Sequence, residues 1–199
     1  GRGLGPAHHG GLPSVRIQCD LSYPMTRPAA LRLGVPARGM LTHRTLPQLM
    51  APHRLVPGRR RDVDALLAWG RRPSALRVER LARRWDLPVW HLEDGLLRSL
   101  AKDRNHPPLA LLVDELGVHF DATAPSRMEQ LIAAPITAAE ADRARALGML
   151  WREQRLSKVN PPAEAEAPQE PFVLVVDQSA GDRSIALGLA DASCFQQML

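Results

Sequence analysis

The sequence predicts an α/β domain built on a parallel sheet, and three neighbouring observations predict it. Val63-Asp64-Ala65-Leu66-Leu67-Ala68-Trp69-Gly70 is an apolar run closed by glycine, the pattern of a buried strand feeding a loop. Ala75, Val78, Leu81, Ala82 and Trp85 follow at helical spacing, with Arg77, Arg80, Arg83 and Arg84 largely off that stripe. Leu87-Pro88-Val89-Trp90-His91-Leu92 is a second apolar run. Strand, helix and strand within about thirty residues make a βαβ unit, whose two strands must run parallel.

Each further element has its own signal. Leu46, Leu49 and Met50 predict a short helix that ends near Pro52. Pro73 sits where a first helical turn tolerates it. Pro107-Pro108 breaks the chain before Leu109-Ala110-Leu111-Leu112-Val113, a third strand, and Gly117 before Val118-His119-Phe120 predicts a hairpin there. Ser126 with Glu129, and Thr137 with Glu140, are capping boxes that open two helices. The second carries Ala144, Leu147, Leu150 and Trp151 on one face and is expected to run to about Lys158. Four prolines between Asn160 and Pro171, with Ala and Glu between them, predict a stiff solvated linker over 159–171. Phe172-Val173-Leu174-Val175-Val176 is expected as a buried strand ending in Asp177. The resulting expectation is a poorly ordered tail, or a segment that does not belong to the fold, over 1–41, a domain over 42–158, the linker, and the first strand, loop and helix of a truncated second domain over 172–199. The chain opens at Gly1 rather than Met and stops within an apparent helix, so a fragment is expected.

Composition removes several classes of function. The chain has 199 residues, 45% of them apolar and 24% charged, without the 18-residue apolar run that a membrane span needs. Cys19 and Cys194 lie near opposite ends without metal spacing. Residues 1–62 hold ten Arg and two Asp, net +8, whereas 63–199 are net −3. The basic balance therefore belongs to the N-terminal third. Lys102 and Lys158 are the lysines, and aromatics at 4% leave little for a base-stacking surface, so nucleic acid is not the expected partner. The chain contains neither GxxxxGK[ST] nor GxGxxG, and no GxSxG elbow. His91, on a strand, is expected to be packed.

In parallel α/β sheets, ligands gather at the carboxyl ends of strands. Three expected strand ends carry acids: Glu93-Asp94 followed by Arg98 and Ser99, Asp114-Glu115, and Asp177-Gln178 followed by Asp182. Acids after strands also cap helices and make turns, and turn structure is the expectation for Asp114 and Asp121. Three on one sheet edge favour a polar cleft.

Six blocks in order then carry a resemblance: Trp69-Gly-Arg-Arg-Pro-Ser-Ala75; Leu92-Glu-Asp-Gly-Leu-Leu-Arg-Ser99; Pro107-Pro-Leu-Ala-Leu-Leu-Val-Asp114; Gly117-Val-His-Phe-Asp-Ala-Thr123-Ala-Pro-Ser126; Leu156-Ser-Lys-Val-Asn160; and Val175-Val-Asp-Gln-Ser-Ala-Gly-Asp-Arg-Ser-Ile185. Together they resemble the capsular polysaccharide β-Kdo transferases, labelled capsular polysaccharide export proteins of the KpsC/LipB type, over about residues 60–199. The resemblance implies a glycosyltransferase B-like fold with two Rossmann-like domains, of which this chain covers the front part of one module. It also implies a cytoplasmic enzyme, peripheral to the inner face of the bacterial inner membrane. Such an enzyme moves Kdo from CMP-Kdo to a phosphatidylglycerol-type Kdo-glycolipid, in contact with the capsule assembly and export machinery. No cofactor is implied, and the need for a metal is left open.

By the same resemblance Asp182 is the catalytic carboxylate. Departure of CMP from a ketose builds positive charge at the anomeric carbon, which a carboxylate stabilises or bonds to, and two such steps retain configuration. The competing expectation is that Asp182 caps the helix that follows it. Kdo's own carboxylate calls for a cation, with Arg98 and Lys158 as candidates, and the competing expectation for both is a salt bridge to Glu93 or Asp94. Ser99, Asp177 and Gln178 complete the substrate-binding set, and Glu93 or Asp94 is the acceptor of the attacking hydroxyl's proton. His119-Phe120 stands where the family commonly has a tyrosine pair, and Val159 replaces a tyrosine. The alternative expectation is a non-catalytic glycolipid-binding or scaffolding domain in capsular polysaccharide export.

Overall fold

A five-stranded sheet carries the domain in the computed structural model, which describes residues 29–103, 105–160 and 168–198. The strands are β1 (Arg32–Val35), β2 (Arg54–Pro57), β3 (Ala65–Trp69), β4 (Val89–Asp94) and β5 (Leu111–Asp114). Their spatial order is β2-β1-β3-β4-β5. The first four run parallel, and β5 lies antiparallel on β4.

The expected βαβ unit is β3, α2 (Pro73–Trp85) and β4. Alternation along β3 divides its side chains between two layers. Ala65, Leu67 and Trp69 join Leu33, Val35, Met40, Leu46, Met50 and Leu92 on one face, beneath a 3-10 helix (Arg38–Thr42) and α1 (Leu46–Leu49). Leu66 and Ala68 meet Val63, Ala75, Val78 and Ala82 on the other, beneath α2. With both faces covered, every residue of β3 is buried. The helix α2 begins at Pro73 and ends at Asp86, which adopts φ 54° in the left-handed region.

The tail expected over 1–41 is corrected from residue 32 onward. β1 occupies the middle of the sheet between β2 and β3, and Leu33 and Val35 are fully buried. A four-residue strand between Pro28 and Pro36 is too short to show a period. It is held by both neighbours and by the Asp64 carboxylate, which accepts from the Arg32 backbone N–H at 2.6 Å. Residues 1–28 and 161–167, the start of the expected tail and most of the expected linker, lie outside the described residues.

The expected hairpin at Gly117 is also corrected: β5 pairs with β4, and residues 117–120 form a turn that strands do not flank. Because β5 is antiparallel, its carboxyl end lies beside His91 rather than at the edge where β4 ends. The buried strand expected at 172–176 is a third correction. Those residues form no strand, and Val173 and Leu174 are 90% and 74% exposed. Apolar composition cannot make a strand without a neighbour to take its backbone groups, and none among the described residues does. The capping boxes open α3 (Arg127–Ala133) and α4 (Ala138–Glu153) as expected. α4 stops five residues short of Lys158, and its expected apolar face is not buried. Two short helices, α5 (Arg183–Leu187) and α6 (Ala192–Gln196), close the described chain. Among the described residues no helix is long and apolar enough to cross a membrane.

These assignments predict opposite outcomes for two apolar truncations. Leu33→Ala should lower the unfolding free energy by about 2–5 kcal/mol, whereas Val173→Ala should change it by no more than about 0.5 kcal/mol. Urea titration of both variants measures the difference.

Candidate functional site

Where β3 and β4 end, the chain makes two turns that bring charge to one edge of the sheet. β3 leaves through Gly70, whose φ of 50° favours glycine. A Cβ there would stand 2.1 Å from Glu93 Oε1 on the neighbouring strand, so the missing side chain is what admits that carboxylate. The next residue, Arg71, turns inward: it meets Glu79 Oε1 on α2 at 2.8 Å and Asp121 Oδ2 at 2.9 Å. Arg72 then points outward, exposed and without a hydrogen-bonded or ion-paired partner among the described residues.

Glu93 and Asp94 are adjacent on β4 and therefore serve opposite faces. Asp94 is buried with Arg98, whose Nε lies 3.1 Å from Asp94 Oδ1. Glu93 faces the Gly70 turn and takes a slight contribution from the Asp94 backbone N–H. Its burial raises its pKa, Asp94 adds to the rise, and the charges of Arg72 and Lys158 oppose it. A half-buried carboxylate held above its ordinary range is a stronger base than a free one.

On the other face, the His43 ring stacks on Trp69 with centroids 4.9 Å apart. Burial holds its pKa below the ordinary value; Arg98 and Arg72 also lower it, against the pull of Asp94. It is a neutral imidazole at neutral pH.

The candidate cation Arg98 is committed to internal partners. Besides Asp94, its Nη1 donates to Ser99 Oγ at 2.6 Å and to the carbonyls of Ala101 and His106 at 2.8 and 2.9 Å. Ser99 Oγ donates in turn to the Ala101 carbonyl. The competing expectation for Arg98, a salt bridge to Asp94, is thereby met; Arg98 and Ser99 are both buried and tie residues 99, 101 and 106 together. The loop also receives residues 158–160, since the Arg98 N–H donates to the Lys158 carbonyl at 2.8 Å and the Asn160 N–H to the Ser99 carbonyl at 3.0 Å. That pairing leaves the Lys158 ammonium exposed and close enough to act on Glu93.

The three-acid edge expected from the sequence reduces to one strand end. Asp114, at the reversed end of β5, accepts the N–H groups of Leu116 and Gly117 at 2.9 Å and that of Arg127 at 2.8 Å. Burial opposes its ionisation, but these bonds outweigh it and hold the pKa low. Asp121 accepts from Thr123 and Arg71. Both make turn structure, as expected. His91 is buried against the Gly70 carbonyl at 3.1 Å, also as expected.

Asp182 caps α5, its Oδ1 accepting the Ser184 N–H at 2.9 Å. The competing expectation is thus met, but by one oxygen: Oδ2 accepts no hydrogen bond among the described residues. Its pKa is held below the usual carboxylate range, first by the Ser184 N–H, next by the Ser184 hydroxyl, and further by Lys102 and Arg72. Those two charges come from the loop after β4 and the turn after β3, so Asp182 lies within their electrostatic reach. The Ala122 N–H, donating to the Leu187 carbonyl at 2.9 Å, fastens α5 there. Asp177 and Gln178 share with Asp182 an open depression of about 740 Å³, lined also by Asp191 and Phe195. Sequence reasoning missed His43, Arg72 and Lys102. Arg72 sits in a quoted block, and only the inward turn of Arg71 gives it a role; His43 has no local signal.

Residues 64–149 match the family model described as "Capsule polysaccharide biosynthesis protein". The chain is 35% identical over 176 residues to the "Capsule polysaccharide modification protein LipA" of Neisseria meningitidis serogroup B, covering 82% of this chain and 25% of that protein. It is 33% identical over 136 residues to the "Lipopolysaccharide-processing protein LpsZ" of Rhizobium meliloti, covering 64% of this chain and 31% of that one. The chain thus spans about a quarter to a third of the length of these relatives. Among solved structures, "Thermosulfurimonas dismutans KpsC, beta Kdo 2,4 transferase" superposes with a TM-score of 0.73 at 32% identity, covering 84% of this chain and 55% of that one. The corresponding 2,7 transferase structure, at 23% identity and a TM-score of 0.51, shares the fold.

Glu93 gives the site a pH signature. A carboxyl whose folded pKa lies above its unfolded value binds more protons when folded, so its contribution falls as pH rises from the ordinary Glu value through the raised one. Glu93→Gln should therefore gain in melting temperature over the parent across that interval and hold the gain above it, as paired melts from pH 4 upward would record. Arg71→Ala should destabilise by about 3–5 kcal/mol, because two largely buried carboxylates lose their partner; denaturant titration tests it.

Proposed function

Residues 64–149 belong to the capsule polysaccharide biosynthesis protein family, and from that premise we propose that the chain is part of a retaining glycosyltransferase. It would transfer Kdo from CMP-Kdo to a phosphatidylglycerol-linked Kdo acceptor and build a β-Kdo linker for capsule. The reading includes the glycosyltransferase B-like arrangement, with residues 42–158 within the acceptor-side domain and 172–199 opening the nucleotide-sugar side. It also includes work at the cytoplasmic face of the inner membrane beside the export machinery.

One observation carries it. Asp182 lies within electrostatic reach of Arg72 and Lys102, and Arg72 acts together with Lys158 on the poorly solvated Glu93, so the two acids share a cation. In the proposed first step the bond from Kdo's anomeric carbon to the CMP phosphate breaks. Its electron pair leaves with CMP, and Asp182 Oδ2 bonds the anomeric carbon from the opposite face. In the second step the acceptor hydroxyl displaces Asp182, and its proton passes to Glu93. Arg72 and Lys158 take Kdo's carboxylate, the role expected of Arg98, because the Arg98 guanidinium is occupied. Asp177 and Gln178 remain substrate contacts in this reading.

The second reading, a non-catalytic domain that binds or scaffolds glycolipid, is favoured by the capping bond of Asp182. The two separate on one substitution. Asparagine caps helices about as well as aspartate but cannot form the glycosyl ester. Asp182→Asn in the full-length gene product should keep the parent melting temperature and lower Kdo transfer from CMP-Kdo at least a hundredfold, as product chromatography would record. Transfer at the parent rate would reject the catalytic role.

A further inference from the structure

A second basic feature borders α2, in a groove whose lining includes neither Glu93 nor Asp182. Arg77, Arg80 and Arg84 occupy positions i, i+3 and i+7 of α2 and so form one stripe. The stripe borders an open groove of about 500 Å³, across which stands Arg59, on the segment between β2 and β3. All four arginines are exposed. None has a carboxylate, hydrogen-bond or aromatic partner among the described residues. Their neighbours do: Arg60 binds Asp62, Arg32 binds Asp62, and Arg61 lies over Trp85. The groove floor is apolar, with Pro36, Ala37, Val78 and Leu81, and its lining includes no acid.

We propose that this groove binds a linear acidic oligosaccharide with a carboxylate on successive sugar residues. The choice of an acidic sugar chain rests on the transferase reading above; the groove itself does not. Four guanidiniums with no internal anion repel one another, and an external anion relieves that repulsion. Helix rise puts Arg84 about 10 Å beyond Arg77 along the axis, more than one phosphate or carboxylate spans. The ligand must therefore carry several charges in a row. An apolar floor between charged rims suits sugar rings, whose C–H faces need cover and whose acids point outward. The groove lining contains no aromatic side chain on which a base would stack, which disfavours single-stranded nucleic acid. Its concave form disfavours a planar lipid surface. In the transferase reading the site holds the acidic chain outside the reacting edge, so that it keeps product without touching the reacting atoms.

The test uses the 199-residue chain, tetragalacturonate as the probe and isothermal titration as the readout, without nucleotide sugar. The chain should bind tetragalacturonate, bind it more weakly at high salt, and leave neutral maltotetraose unbound. Replacing three exposed side chains should leave the fold intact, and Arg77→Gln, Arg80→Gln and Arg84→Gln together should weaken binding at least tenfold at an unchanged melting temperature. Were the triple variant to melt early, Arg59→Gln alone should weaken binding severalfold. The proposal is overturned by parent affinity in the arginine variants, by no binding of tetragalacturonate, or by equally tight arginine-dependent binding of inorganic phosphate. Preferred arginine-dependent retention of single-stranded DNA or of phosphatidylglycerol vesicles would also overturn it. The two readings fail separately. Kdo transfer without groove binding removes this inference alone; arginine-dependent binding by a protein whose transfer survives Asp182→Asn removes the catalytic role and leaves the groove.

Discussion

The guanidinium of Arg71 sits between Glu79 and Asp121, and the arrangement of the site follows from it. One side chain joins the turn after β3, the middle of α2 and the loop after β5. Its partners are largely buried, so the charges interact in a medium that screens them weakly. With Arg71 drawn inward, the backbone at Gly70 must take a positive φ, and the space above that glycine goes to Glu93. Arg72 is turned outward by the same geometry. A structural ion pair and an exposed cation thus come from consecutive residues of one type, and neighbours decide which is which.

The same division recurs at the end of β4. Asp94 is paired with Arg98 below the surface, while Glu93 faces the Gly70 turn without a side-chain donor among the described residues. Arg98 and Ser99 hold the loop that follows, and that loop presents Lys158. Residues that look interchangeable in sequence are therefore sorted by strand alternation and by which carbonyls lie within reach. The groups left for substrate are those with fewer internal partners.

The βαβ centre was legible because its signals are local: apolar runs of strand length, a proline at the first helical turn, an apolar stripe at helical spacing. The two capping boxes were legible for the same reason. β1 was not, since four residues between prolines carry no period and their burial comes from strands far along the chain. The direction of β5 is likewise set by pairing rather than by composition. Of the candidate site, the acids were legible, as was the pairing of Arg98 with Asp94. The helix cap at Asp182 was legible too, whereas His43 and Lys102 reach the edge only through tertiary structure.

The run Phe172–Val176 has a consequence for how the molecule behaves in solution. Five β-prone apolar residues without a ladder present unpaired backbone to any similar strand they encounter. Glu170 and Pro171 precede them and Asp177 follows, so charge and a missing N–H guard both flanks. Colloidal stability of this chain is therefore governed by a handful of residues that take no part in its core.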